Sequence, residues 1–316
     1  MKNKIIIGVV FYGDLNQNGV NSQQYKFLKK ELRDFVLKKY DFHKTTEWGR
    51  LLNEYESGKL NVVLKNSYGR GHEADIERWL DKHNIPYVGS GPKATLDGTD
   101  KFISKKIFCS HKLPIIEDVF VNLTSWVCHR KVILKKISKN ICFPCILKDV
   151  AGTDSRGLFI LNNENATKNT LDKELKEGRR FIVEKFLEDK YEVTCFVGGR
   201  KKLTAFEPAG LGGRSFFFSG KAKDKMQFKL DLPAKLPKTL ITKVKNFSII
   251  AHKALGCRDF SRTDFLVKDN KIYLLETDVH PGFRQKSVST LSIRLSGVSI
   301  NDFFKGLLEK QHNNKR

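Results

Sequence analysis

The chain lacks any apolar run that could cross a membrane. Its longest, such as Ile5–Phe11, fall far short of the ~20 residues that a helical span needs. No small-residue cleavage site follows that run. Met1-Lys-Asn-Lys therefore reads as the lead into a first buried strand, not as a signal peptide, and a cytoplasmic protein is expected. Metal-type cysteine sets are lacking too. Cys142 and Cys145 form a C-x-x-C with no second such pair and no nearby His. Bedded among Phe143, Pro144 and Ile146, they are expected to be two reduced core residues. Acids are scarce: 35 Asp and Glu against 58 Lys and Arg give a formal net charge of +23. Such a surface attracts polyanions. Yet the lysines are scattered, with no basic run of five and no zinc-finger, RRM or KH pattern, so nucleic acid is not an expected partner. No G-x-G-x-x-G follows the first strand, which removes the dinucleotide fingerprint.

What is present begins as an α/β pattern. Ile5–Phe11 reads as a strand. Gln23–Lys39 reads as one helix, with Phe27, Leu28, Leu32, Phe35 and Val36 on a face. Leu60–Leu64 is a strand, Glu73–His83 a helix and Ile85–Val88 a short strand. This alternation implies a parallel sheet over residues 1–95. A second unit, 96–185, opens with a helix over Asp100–Ser110 and continues in short strands near Val119–Leu123, Ile146–Lys148 and Leu158–Leu161. A third, 186–316, holds strands Glu192–Val197 and Lys202–Glu207, a Gly- and Phe-rich loop within 210–225, a helix over Lys238–Leu255 and a last helix over Ser299–Glu309.

The chemistry concentrates in DFLVKDNKIYLLETDVHPG, Asp264 to Gly282. Two apolar runs flank a Lys-Asp-Asn-Lys turn, the pattern of a β-hairpin. Glu276 and Asp278 are two apart and share a face. A three-residue loop would set Asp264 opposite Glu276, whereas a two-residue loop would set it opposite Leu275 and turn it away. If the three carboxylates converge, they need a cation. All-oxygen ligands suit Mg²⁺, with Mn²⁺ as an alternative, and such a site stays open to substrate phosphates.

Four ordered segments carry a resemblance. They are Gly89-Ser-Gly with Thr99-Asp100-Lys101; Phe143-Pro-Cys-Ile-Leu-Lys148; Val183-Glu184-Lys185-Phe186-Leu187; and Arg262-Thr-Asp264 with Leu275-Glu276-Thr-Asp278-Val-His-Pro-Gly282. In order and spacing the chain resembles the D-alanine–D-alanine ligases of the ATP-grasp superfamily. The resemblance implies an α+β ATP-grasp fold: a Rossmann-like domain at 1–95 and two ATP-grasp subdomains at 96–185 and 186–316, with ATP between them. It implies a homodimer, small amino-acid or peptide substrates, and amide-bond formation through an acyl phosphate. Lys101, Lys148 and Arg262 match phosphate-side cations. Glu184, Lys185, Phe186 and Leu187 match the strip that holds adenine, Glu192 the ribose acid, and Ile146, Phe186, Leu266 and Leu275 the adenine slot. Ser155, in the loop Gly152–Gly157, and Lys221, in the lid 210–225, match phosphate-closing residues. Gly282 and Ser287 match the substrate side, Ser287 toward the second substrate's carboxylate.

The departures cluster on the amino-acid side. The family's glutamate for the first substrate's ammonium has no counterpart in Tyr12–Gly19, where Asp14 is a weak substitute. Ala222 stands for a polar lid residue, Asp154 for a Ser, and Asp278 for an Asn. A ligase of altered specificity is the leading expectation, with D-alanine plus D-alanine a poor pair. The rivals are an ordinary wall-precursor ligase with Asp14 or Glu73 restoring the contact, a non-ligating ATP-binding homologue, and a polyanion-binding protein.

Overall fold

A computed structural model describes residues 4–12, 18–65, 73–152, 157–212 and 229–308. Short apolar strands with connecting helices build the first layer: β1 (Ile6–Phe11), α1 (Asn18–Glu31), β2 (Val36–Asp41), α2 (Thr45–Glu56), β3 (Val62–Lys65), α3 (Glu73–Lys82) and β4 (Tyr87–Val88). The strands lie parallel in the order β2-β1-β3-β4. Ile7, Val9, Val10, Val62, Val63 and Leu64 are buried, as strands covered on both faces require.

One helix over Gln23–Lys39 is not what forms. The helix stops at Glu31, and Val36–Asp41 pairs with β1 from Ile6↔Val36 onward. Phe35 and Val36 continue the helical spacing of apolar residues, but pairing of the strand's backbone with β1 outweighs that local pattern. Lys38 and Lys39 lie on this edge strand, where charge discourages pairing with another chain.

A second sheet is antiparallel, in the order β5-β8-β6-β7: β5 (Asp118–Val121), β6 (Cys145–Asp149), β7 (Leu158–Leu161) and β8 (Phe181–Lys185). Its core includes Trp126 and Ile133 of α6 (Leu123–Lys136) and Leu171 of α7 (Glu164–Glu174). Asn122 starts α6 with a capping box. Its side chain accepts from the Ser125 N–H at 2.8 Å, and Ser125 Oγ accepts from the Asn122 N–H at 3.1 Å. The paired-core reading of the C-x-x-C holds for one member only. Cys145 is buried on β6, and burial pushes its thiol up to about 11, whereas Cys142 is exposed.

The third sheet carries β9 (Tyr191–Gly198), β10 (Thr204–Ala205), β11 (Ala209–Gly212), β12 (Lys229–Asp231), β13 (Phe260–Lys268) and β14 (Lys271–Asp278). The order is β12-β11-β9-β13-β14, with β10 on β9, and the pairs are antiparallel. Val193, Cys195, Phe265 and Val267 pack under α8 (Lys238–Ala254). The other face meets the first layer. Phe196 and Phe260, with Phe283 and with Phe303 and Phe304 of α10 (Ile300–Leu308), share one cluster with Ile7, Val9 and Leu28. A short helix, α9 (Val288–Leu295), precedes α10. Among the described residues no helix is long and apolar enough to cross a membrane.

Between the layers run α4 (Pro92–Thr99) and α5 (Lys101–Ser110). Asp100 caps α5 by accepting from the Ile103 N–H at 2.9 Å, and it also pairs with Arg180 at 2.8 Å. Asp100→Ala should cost about 1 kcal/mol of stability in urea denaturation, the ordinary value of an N-cap. An unchanged midpoint and slope would show that this cap does not hold the helix.

Candidate active site

The β13–β14 hairpin closes through a two-residue turn. Asp269 and Asn270 both have positive φ, 50° and 59°, and Lys268 pairs with Lys271. Side chains of this type tolerate that region, which a primed hairpin turn requires. Such a turn, continued without interruption, would set Asp264 opposite Leu275. A bulge intervenes. Phe265 pairs with Leu274 but Asp264 pairs with Glu276, so Leu275 is the extra residue. Beyond it Arg262 pairs with Asp278. One sheet face thus collects Arg262, Asp264, Glu276 and Asp278.

The charges on this face are interlocked. Arg262 donates from Nε and Nη2 to the two oxygens of Asp264, each at 3.0 Å, and its Nη1 lies 3.5 Å from Asp278. Burial alone would lower the guanidinium, but Asp264 and Asp278 raise it above its ordinary value. The Thr194 hydroxyl donates to Asp264 at 2.5 Å, and the His280 N–H donates to Asp278 at 2.9 Å. Glu276 lies 3.5 Å from Lys101 Nζ, which donates to the Gly152 carbonyl at 2.5 Å. As they stand, no three Asp, Glu, His or Cys side chains among the described residues are gathered closely enough to hold one ion. The donor types still suit a hard cation: three carboxylates share the face, and each already faces a positive group or an N–H.

A second charged centre lies in the antiparallel sheet. Glu184, on β8, is buried and receives Lys148 at 2.5 Å and Lys105 at 2.5 Å. Lys105 also reaches Asp118 at 2.7 Å and the Ile116 carbonyl at 2.7 Å. Burial pushes the Glu184 carboxyl up, but Lys148 and Lys105 outweigh it and hold the group at about 2. Glu184 is therefore the anchor that fixes Lys148. Lys105 was not singled out from the sequence, although it stands one helical turn after Lys101 on α5.

The remaining residues fall around these centres. Lys185 is exposed, Phe186 and Leu187 are half-buried, and Lys190 sits over the Phe186 ring at 4.7 Å. Burial, assisted by Lys148 and opposed by Glu192, lowers the Lys190 ammonium. Glu192, on β9, pairs with Leu266, which is buried, while Leu275 is the half-buried bulge residue and Ile146 pairs with Glu184 across β6 and β8. Ser287 caps α9, accepting from the Thr290 N–H at 3.4 Å and the Arg284 N–H at 3.1 Å. Gly282 accepts from the Ser289 hydroxyl at 3.1 Å. Ser155 and Lys221 lie outside the described residues, as do Asp14, Asp154 and Ala222.

One network went unread in the sequence. Glu77, fully buried on α3, gathers Lys65, Thr95 and His280. Its signal was an acid on the apolar stripe formed with Ala74 and Leu80, spaced three residues apart.

Residues 107–309 match the family model described as D-ala D-ala ligase C-terminus. The D-alanine–D-alanine ligase of Pelagibacter ubique is 30% identical over 259 residues, 80% of this chain and 81% of that protein. The one from Halothermothrix orenii is 29% identical over 79% of this chain and 74% of its own length. In fold, the chain is similar to the VanG D-Ala:D-Ser ligase of Enterococcus faecalis, with a TM-score of 0.80, 19% identity, and coverage of 98% of this chain and 100% of the other. It is similar also to the Bacillus anthracis D-alanine–D-alanine ligase complexed with ATP, with a TM-score of 0.78, 19% identity and 98% of both chains covered.

The Glu184 centre predicts an acid dependence. Its carboxyl is lower in the folded chain than in the unfolded one, so its contribution is complete above the ordinary carboxylate range and is lost as pH falls toward about 2. Between pH 5 and pH 2 the wild type should lose on the order of 3 kcal/mol more stability than Glu184→Gln, measured by urea denaturation. Parallel pH curves for the two proteins would contradict the ion-pair account.

Proposed function

The chain belongs to the D-alanine–D-alanine ligase family, and we propose that it is an ATP-dependent carboxylate–amine ligase with an amino-acid or peptide specificity of its own. The observation that carries this reading is the bulged register, which puts Arg262 and three carboxylates on one face beside Lys101.

The chemistry such a face supports is carboxylate activation. A carboxylate oxygen of the first substrate attacks the terminal phosphorus of ATP, and ADP leaves. The amine of the second substrate then attacks the acyl carbon, loses a proton and expels phosphate. Negative charge develops on oxygens at both stages, so fixed cations are the needed groups. Arg262, held in plane by Asp264, presents its guanidinium to the acyl-phosphate oxygens. Lys148, fixed by Glu184, and Lys101, fixed by the Gly152 carbonyl, take the nucleotide phosphates. Asp264, Glu276 and Asp278 would hold Mg²⁺, or Mn²⁺ in its place, which when bound neutralises phosphate oxygens.

Lys185, Phe186 and Leu187 with Leu266 and Leu275 frame the adenine, and Glu192 takes the ribose. Ser155 and Lys221 close on the phosphates, and Gly282 and Ser287 receive the substrates. The altered specificity is supported by the missing glutamate in Tyr12–Gly19 and by Ala222. The family resemblance supports a homodimer working in the cytoplasm.

Glu276→Gln should abolish ADP formation while leaving the circular dichroism spectrum and melting temperature close to wild type. Lys148→Ala should weaken nucleotide binding by about 1–3 kcal/mol, the scale of losing a charged hydrogen-bond partner. Near-normal turnover in the first variant, or unchanged ATP affinity in the second, would sink the site assignment.

A further inference from the structure

The longest stretch of the chain without an acid runs between Asp118 and Asp149. It holds α6 and the π-helical turn Ile137–Ile141 that continues it. The inner side of this unit is occupied: Trp126, Ile133, Leu134, Ile137 and Ile141 belong to the core of the antiparallel sheet. Arg130 is occupied as well, reaching Asp172 of α7 at 2.6 Å and lying over the Trp126 ring at 5.0 Å. A break at His129, where φ is −133° and ψ 26°, divides the helix. Core residues stand on both sides of the break, so both halves turn inward the same way and present one outer face.

That face combines two chemistries. Lys131, Lys135, Lys136 and Lys139 are all exposed. Among the described residues none of the four makes an ion pair. Aliphatic side chains lie outward beside them: Leu123 is 45% exposed, Val127 68% and Val132 53%. One exposed valine is ordinary, but three aliphatics on a lysine face suit a partner both anionic and oily. A protein partner fits poorly, because protein interfaces favour aromatic residues, Met and Arg and disfavour Lys. A single-stranded nucleic acid needs aromatic platforms, and the one aromatic ring of this unit, Trp126, is buried. A bilayer of anionic lipid supplies both chemistries.

We propose that the outer face of α6 docks the protein on an anionic lipid surface. The four ammonium groups meet the phosphate headgroups on their long stems, while Leu123, Val127 and Val132 press toward the acyl boundary. Three aliphatic side chains bury little area, so the attachment is shallow, reversible and weakened by salt. The docking leaves the chemistry free. Ile146, Lys148 and Glu184 alternate with the core residues Cys145, Leu147 and Val183, so they lie on the sheet face turned away from α6. The docked protein keeps its proposed nucleotide face away from the bilayer, and the docking does not depend on what that face ligates.

The test is sedimentation of the full chain with two kinds of vesicle, phosphatidylcholine alone and phosphatidylcholine mixed with phosphatidylglycerol. Binding is expected to the mixed vesicles only, and it should fall steeply as salt rises. Equal binding to both, or binding to neither, overturns the proposal whatever the variants do. Lys135→Glu with Lys136→Glu should weaken vesicle binding by at least about 10-fold, with melting temperature and nucleotide affinity unchanged. Lys201→Glu with Lys202→Glu reverses the same charge at another exposed place and should cost less than about 3-fold. An equal loss in the two pairs assigns the binding to the overall +23 charge and overturns the role of α6. Val127→Ser should loosen vesicle binding by about 3-fold while leaving retention on heparin unchanged. No effect of that change on vesicles removes the lipid contact and overturns the proposal. Tighter binding to duplex RNA than to the mixed vesicles would make the face a nucleic-acid surface. A change of oligomeric state in Lys135→Glu with Lys136→Glu, seen by light scattering, would make it a contact between copies; either result overturns the lipid reading.

Discussion

Everything at the proposed active face depends on the register of one hairpin. Side chains alternate along a strand, so a slip of one residue would turn Glu276 and Asp278 away from Asp264. The two-residue turn at Asp269-Asn270 sets the wrong phase for convergence, and the bulge at Leu275 corrects it. Once four ionic side chains share a face, they must neutralise one another. The bidentate Arg262–Asp264 pair and the contacts of Lys101 with Glu276 and of Arg262 with Asp278 do so. A face so arranged already has positive charge where phosphoryl transfer needs it.

The surroundings give that face its rigidity. Phe196, Phe260 and Phe283 weld the third sheet to the parallel layer, with the Phe283 ring edge-on to the other two. The Glu184 centre does the equivalent for the antiparallel sheet, tying β8 to β6 through Lys148 and to α5 through Lys105. Breaking such a buried pair from one side leaves a stranded charge, which is why a single lysine here matters more than the many exposed ones. The +23 charge is thus unevenly meaningful. A handful of lysines are buried on acids, while most others are solvated.

Much of this was legible in the sequence. β1, β3, β7, α5 and the carboxylate hairpin announced themselves by apolar runs, turn residues or a capping Asp. The helices α2, α6 and α7 did not. In α6, Leu123, Val127 and Val132 are exposed, so its apolar residues mark no single face, and α7 is mostly polar. β2 was hidden by apolar residues that fit a helix equally well. The family segments brought Lys101, Lys148 and Arg262 to notice, whereas the hairpin pattern itself marked the three carboxylates. Their convergence could not be read, because no residue type signals a bulge. The Glu77 network was concealed for a related reason: its members are 12 to 203 residues apart in pairs such as Lys65–Glu77 and Glu77–His280, and only the fold joins them.

The central claim is that this face activates a carboxylate with ATP, and isotope transfer measures that step directly. The acid that best stimulates ADP release is prepared with ¹⁸O in its carboxylate and turned over with ATP and an amine. An acyl phosphate hands one carboxylate oxygen to the departing phosphate, so the account predicts one ¹⁸O in each phosphate released. Phosphate free of label, formed at the same rate as ADP, would mean that water is the acceptor and would contradict it.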